Sequence, residues 1–130
     1  LLLRKYMSLL GIGAAKIDLL LEKDSYKPGE SVKGIFLIKG GTIEQKICRI
    51  ECDLVKFDKE DQKEHVIDST MVLTSKKIQS EGTMELVFQF QLAEDLPASC
   101  NRINYRFKTR MCFDEGVQSE DHDLINIISD

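Results

Sequence analysis

Tyr26-Lys27-Pro28-Gly29-Glu30-Ser31-Val32-Lys33-Gly34, running into the apolar stretch Ile35-Phe36-Leu37-Ile38, decides the fold. Pro28 pre-sets φ for the first corner of a β-turn, and Gly29 can supply the positive φ that the second corner of a type II turn needs. The flanking segments, Ile17 to Glu22 and Val32 to Lys39, read as strands, so the turn joins two paired extended segments. Such a layout belongs to β-sandwiches and brings no catalytic apparatus with it.

Working outward, nearly every segment past the N-terminus reads as extended. Gly40-Gly41 lies between the run ending at Lys39 and the one starting at Thr42 and predicts a two-residue hairpin. In the next strand the apolar parity changes: Ile43 and Ile47 are odd, whereas Cys48, Ile50, Cys52 and Leu54 are even. A one-residue phase shift predicts a bulge, or a strand passing from one sheet to the other. Asp58 to Glu64 is a polar tip of mixed charge for a long hairpin. His65 to Thr74 then gives a strand with Ile67, Met71 and Leu73 on one face. After Gly82 the alternation is cleanest, with Met84, Leu86, Phe88, Phe90 and Leu92 pointing one way and only Val87 breaking the pattern. Ile103 to Phe113 alternates again, placing Arg106, Lys108 and Arg110 outward, and a last strand runs from about His122 to Ser129. Seven or eight strands with short turns predict an all-β, two-sheet antiparallel β-sandwich.

Composition narrows the function. A chain of 130 residues, 42% of them hydrophobic, fits one domain able to bury roughly two-thirds of its unfolded surface. The net charge of −4 and the lack of tryptophan argue against nucleic-acid binding, which needs a basic footprint or stacking platforms. Four cysteines stand at 48, 52, 100 and 112. Cys48 and Cys52 are about 13 Å apart along a strand, too far to bridge each other. Their shared parity with Ile50 and Leu54 predicts core packing, reduced thiols and a cytoplasmic location. Cys112 shares the outward parity of three cations, which would lower its thiol pKa. No nucleophile context surrounds it, so the chain is read as non-enzymatic and no cofactor is expected.

The first ten residues imitate a signal peptide loosely, with Arg4-Lys5 ahead of a short apolar stretch broken at Ser8. That stretch is too short to span a bilayer. Leu2, Leu3, Tyr6, Leu9 and Leu10 recur at helical spacing, so residues 1–12 are predicted as an amphipathic helix and residues 13–130 as the sandwich. The helix packs on the sandwich or on a neighbouring domain; in the sharper reading it docks on a partner or a membrane surface.

Two further clusters carry candidate chemistry. Asp114 and Glu115, with Asp121 and Asp123, flank a loop at Gly116 and could offer oxygen ligands to calcium. Arg102, Arg106, Lys108 and Arg110 form a basic ridge fit for an acidic protein or anionic lipid headgroups. The predicted partner-binding residues are Leu2, Leu3, Leu9, Leu10, Arg106, Lys108 and Arg110. A second copy of the chain is among the candidate partners.

The pattern Tyr26-x-Pro28-Gly29-Glu30-x-Val32-x-Gly34 also resembles a signature of arrestin-like domains. The surrounding text is closer still to the bacterial sporulation-control proteins, the stage-zero sporulation protein M family. Gly11-Ile12-Gly13-Ala14-Ala15-Lys16-Ile17-Asp18, Leu21-Glu22-Lys23-Asp24, Lys39-Gly40-Gly41 and Ser119-Glu120-Asp121-His122-Asp123 carry the likeness. The leading leucines and Arg4-Lys5 resemble that family's N-terminal helix, which argues against Met7 as the true start. The resemblance implies an arrestin-like β-sandwich, without enzymatic activity, regulating sporulation through protein contacts. Family members commonly carry two such sandwiches, so the chain is either a first domain or a short member. The buried polar core of animal arrestins does not map here residue by residue, and no phosphate switch is carried over.

Overall fold

The computed structural model describes residues 13–114, 116 and 118–129. The strands are β1 (Lys16–Leu21), β2 (Ser25–Tyr26), β3 (Ser31–Lys39), β4 (Gln45–Asp58), β5 (Lys63–Leu73), β6 (Lys77–Ile78), β7 (Thr83–Gln91), β8 (Ile103–Phe113) and β9 (Gln118–Ile127). They form a three-stranded sheet ordered β1-β3-β7 and a six-stranded sheet ordered β2-β9-β8-β4-β5, with β6 also on β4. All described pairings are antiparallel except β2 with β9, which is parallel. The predicted all-β two-sheet sandwich is the fold observed. The helix predicted over residues 1–12 lies outside the described residues.

The opening motif acts residue by residue. Tyr26 is 1% exposed, and its hydroxyl donates to the Lys23 carbonyl at 2.8 Å. Gly29 sits at φ +83°, and the turn closes when the Glu30 N–H donates to the Lys27 carbonyl at 3.1 Å. Gly29 N–H and Glu30 C=O then tie the turn to Ala93 and Leu92, just past β7. Val32 points into the core, and Gly34 brings β3 close beneath β1, its partner as predicted.

Gly40-Gly41 does not make the predicted hairpin. β3 pairs with β1 and β7, while β4 belongs to the other sheet, so the two glycines carry the chain between sheets. A Cβ on Gly40 would stand 2.0 Å from the Gln79 carbonyl oxygen, and one on Gly41 1.9 Å from that of Gly13. Close backbone approach, rather than hairpin φ, selects glycine there. The phase shift in β4 resolves as a bulge, with the register against β8 slipping between Ile47 and Arg49. Cys48 sits in that bulge, only half-buried, so its predicted core packing fails; Cys52 is fully buried as expected.

The core is an aromatic cluster joining the sheets. Phe88 of β7 meets Phe107 of β8 edge to face at 5.5 Å, and Phe90 meets Phe107 at 5.1 Å. Phe36 of β3 closes the group at 5.1 Å from Phe88. Beyond it the two flanks differ. On one flank β1 abuts β9; on the other, β7 and β5 both end their sheets and leave a groove lined by Asp68, Ser69, Thr70, Gln89, Phe90 and Gln91.

Candidate functional site

On the closed flank, β1 and β9 meet through side chains. The N–H of Ile17 donates to Ser119 Oγ at 3.2 Å, and that of Leu19 to Asp121 Oδ2 at 2.7 Å. Strand alternation sets Ser119, Asp121 and Asp123 on the inner face of β9, where they meet the free edge of β1. Asp18 of β1 completes a trio: one carboxylate oxygen each from Asp18, Asp121 and Asp123 lie within 4.8 Å of one another. Oδ2 of Asp123 is buried and has no hydrogen-bond partner.

Burial, then the hydrogen bond to Asp121 and the charges of Asp121 and Asp18, push the Asp123 carboxyl up to about 7. Asp18 is raised by burial first and by Asp121 second, with Lys39 of β3 acting against the shift. Three carboxylates so close repel when all are ionised; a shared proton or a cation relieves them. The chemistry open to this site is proton uptake or oxygen ligation.

Replacing Asp123 with asparagine tests the electrostatics. Unfolded, an aspartate ionises near 3.8, whereas the folded chain holds this proton to about 7. Between those values the folded state binds more protons, so stability falls as pH rises through that window. Asp123→Asn removes this slope. At pH 8 a gain of about 1 kcal/mol is expected in urea unfolding, solvent at the seam screening the larger repulsion. An unchanged slope between pH 4 and 7 would remove the shared proton from the account.

The structure redistributes the residues predicted from sequence. Asp121 and Asp123 follow the Gly116 loop as expected, on one face of the extended strand β9. Asp114 stands apart, accepting a hydrogen bond from the Cys48 thiol and lying 3.8 Å from Lys46 Nζ. Glu115, Leu2, Leu3, Leu9 and Leu10 lie outside the described residues. Asp18 escaped the sequence reading because it stands 103 residues before Asp121, on the outward parity of its strand.

The basic ridge is on the outer face of β8, as alternation required, yet its charges are neutralised. Arg106 and Lys108 both pair with Glu64, the latter at 2.9 Å, and Arg110 pairs with Glu51 at 3.0 Å and Asp53 at 3.2 Å. Those acids come from β4 and β5, whose alignment beside β8 no local pattern reveals. Cys112 is buried, and burial raises its thiol, outweighing the nearby Arg49 and reversing the predicted lowering. Burial likewise pushes Cys52 up to about 12.

The sequence reading missed the outer face of the small sheet. Leu20, Ile35 and Val87 stand in register across β1, β3 and β7, Leu20 being 42% and Val87 81% exposed. With Glu22, Lys33 and Gln89 they line a shallow trough of about 390 Å³. The break that Val87 makes in the β7 alternation was its one visible sign.

Fold and surface together define a two-sheet β-sandwich with a carboxylate seam on one flank and exposed apolar residues on its outer face and open edge. The chain belongs to the SpoOM protein family, which matches residues 3–130, as the resemblance around Tyr26 to Gly34 implied. The sporulation-control protein spo0M of Bacillus subtilis (strain 168) is 38% identical over 128 residues, covering 94% of this chain and 50% of that protein. The crystal structure of Spo0M from Bacillus subtilis superposes with a TM-score of 0.79 at 36% identity, over 89% of this chain and 50% of that one. This chain thus spans about half the length of the relatives it matches. The Pseudomonas fluorescens alkylpurine DNA glycosylase AlkC, bound to DNA containing an abasic site analog, aligns with 92% of this chain and 33% of its own at 13% identity and a TM-score of 0.51. That likeness shows the fold alone. Among the described residues no helix is long and apolar enough to cross a membrane.

Proposed function

We propose that the chain is a regulatory contact module of sporulation control, arrestin-like in architecture, which works in the cytoplasm by binding protein partners and turns over no substrate. The apolar row Leu20–Ile35–Val87 carries this reading: three aligned hydrophobic side chains on the outer face of a sheet form a docking strip. The sporulation-control role of the Bacillus subtilis relative supplies the process. Leu2, Leu3, Leu9 and Leu10 are further contacts in this reading. The contacts shift away from Arg106, Lys108 and Arg110, whose charges are already matched.

A chimera tests it, with the matching half of the Bacillus subtilis protein replaced by this chain in a strain lacking its own copy. The chimera is expected to restore sporulation control, and Val87→Glu to abolish the restoration. At 81% exposure that change should cost folding no more than about 0.5 kcal/mol. Full restoration by the variant would rule out the row as the contact surface.

The seam favours a second reading, a module responsive to a divalent cation held by Asp18, Asp121 and Asp123. Calorimetric titration with calcium is then expected to give heat that Asp123→Asn abolishes. No heat from the parent chain would remove this reading.

A further inference from the structure

The two sheets leave their margins unequally protected. β1 gives two N–H groups to Ser119 and Asp121, β2 is two residues long, and β7 shows Glu85 to solvent beside Val87. On β5 the first half carries Lys63, Glu64 and Asp68, with a register shift opposite Leu54 and Val55. Charges and irregularities of this kind keep an edge from pairing. Between Ser69 and Thr74 the chain has no charge, proline or glycine, and Met71 and Leu73 are 55% and 77% exposed. The Thr74 N–H donates to the Cys48 carbonyl of β4. By strand alternation Ser69, Met71 and Leu73 then turn their N–H and C=O groups away from β4, to the open side. Beside them runs the groove between β5 and β7, of about 180 Å³, to which Asp68, Thr70 and Phe90 contribute.

We propose that this edge takes an extended segment of another protein as an added antiparallel strand, acidic at its start, apolar in its middle and basic at its end. The proposal rests on the contact-module reading and names the chemistry of one partner. Ser69, Met71 and Leu73 offer donors and acceptors that any extended backbone can meet, so side chains must set the register. Charge sets direction and length. Asp68 and Lys76 are exposed, and neither makes an ion pair among the described residues; Asp68 accepts only the Ser69 N–H, at 2.8 Å. The two charges bracket the uncharged run, so an antiparallel strand brings its first residue to Lys76 and its ninth to Asp68. Its fourth and sixth residues then cover Leu73 and Met71. Asp68, Thr70 and Val72 stand opposite Leu54, Cys52 and Ile50, the core-facing residues of β4. The seventh residue of the added strand falls opposite Thr70 on that same side, over the groove, where an aliphatic side chain has room. A second copy of this edge in the same register would set Thr74 there and leave the groove unfilled. The occupant that fits is a foreign strand.

The probe is a synthetic peptide, Glu-Thr-Thr-Val-Thr-Val-Leu-Thr-Lys, blocked at both ends and fluorescently labelled. Titrating it with the whole chain is expected to give a saturable rise in anisotropy. Methylating the backbone nitrogen of its sixth residue, which faces the Met71 carbonyl, should abolish binding. Methylating that of its fifth residue, which faces away, should leave most of it. Asp68→Lys should weaken binding about fivefold, and a peptide ending in glutamate should recover the loss. Asp68 is exposed, so the variant is expected to keep the parent's thermal midpoint. Serine in place of the peptide's leucine should weaken binding about tenfold. No saturable binding, equal losses from the two methylations, or an Asp68→Lys chain that treats the two peptide endings alike would each overturn the proposal. Absent binding beside a chimera that still needs Val87 would end the added strand and leave the contact module standing. Binding with Val87 dispensable would support the β5 edge while the docking strip falls.

Discussion

Gly34→Ala should destabilise the chain by about 3 kcal/mol, because overpacking against backbone cannot be relieved by a rotamer change. The added Cβ would stand 2.2 Å from the Leu20 carbonyl oxygen, with Leu21 Cα the next obstacle at 3.2 Å. Only a shift of β1 away from β3 makes room. β1 also presents the Leu19 N–H to Asp121, so the shift disturbs the carboxylate seam. The variant should therefore lose stability in urea unfolding at pH 7 and also hold the Asp123 proton less firmly. A loss below about 1 kcal/mol would mean that β1 slides on β3 at little cost, and the last glycine of the motif would then need another explanation.

Phe107→Ala is the other large effect, with an expected cost of about 4 kcal/mol. Phe107 is fully buried on β8 and packs edge to face on both Phe88 and Phe90 of β7. Its removal leaves a void where the two sheets touch, and the strands on either side are too constrained to close it. Phe107→Leu, which keeps most of the volume, should cost about 1 kcal/mol. Equal losses for the two variants, measured by urea unfolding, would show that ring geometry rather than volume joins the sheets.

The carboxylate seam and the open edge lie on opposite flanks, and this asymmetry follows from strand count. Three strands facing a broader sheet cannot cover both of its margins. β1 is placed against β9 by hydrogen bonds from its own backbone, which leaves β7 and β5 open on the far side. Asp121 of the seam accepts the Leu19 N–H of β1, and β1 carries Leu20 into the apolar row through its pairing with Ile35. Asp123→Asn therefore reports on the seam without altering the β5 edge.

Local sequence by itself determined the class of this protein and the identity of its turns. Pro28-Gly29 made the turn because φ preferences are intrinsic to those residues. The alternation from Met84 to Leu92 and from Ile103 to Phe113 marked inward faces because strand side chains repeat every two residues. The family was legible in the text around that turn, from Gly11 to Asp18, Leu21 to Asp24, Lys39 to Gly41 and Ser119 to Asp123. Which strand lies beside which was decided only by the tertiary structure. Gly40-Gly41 has the composition of a hairpin, yet the chain crosses between sheets there, since β3 finds its partners in β1 and β7. Three cations alternating along β8 look like an open ridge until β4 and β5 bring Glu51, Asp53 and Glu64 against them. Asp18 joins Asp121 and Asp123 through a contact that spans most of the chain. Turn preference and alternation are properties of neighbouring residues, so they can be read in order along the sequence. Charge matching, burial of a thiol and a carboxylate cluster are properties of distant residues in contact, and only packing brings those together.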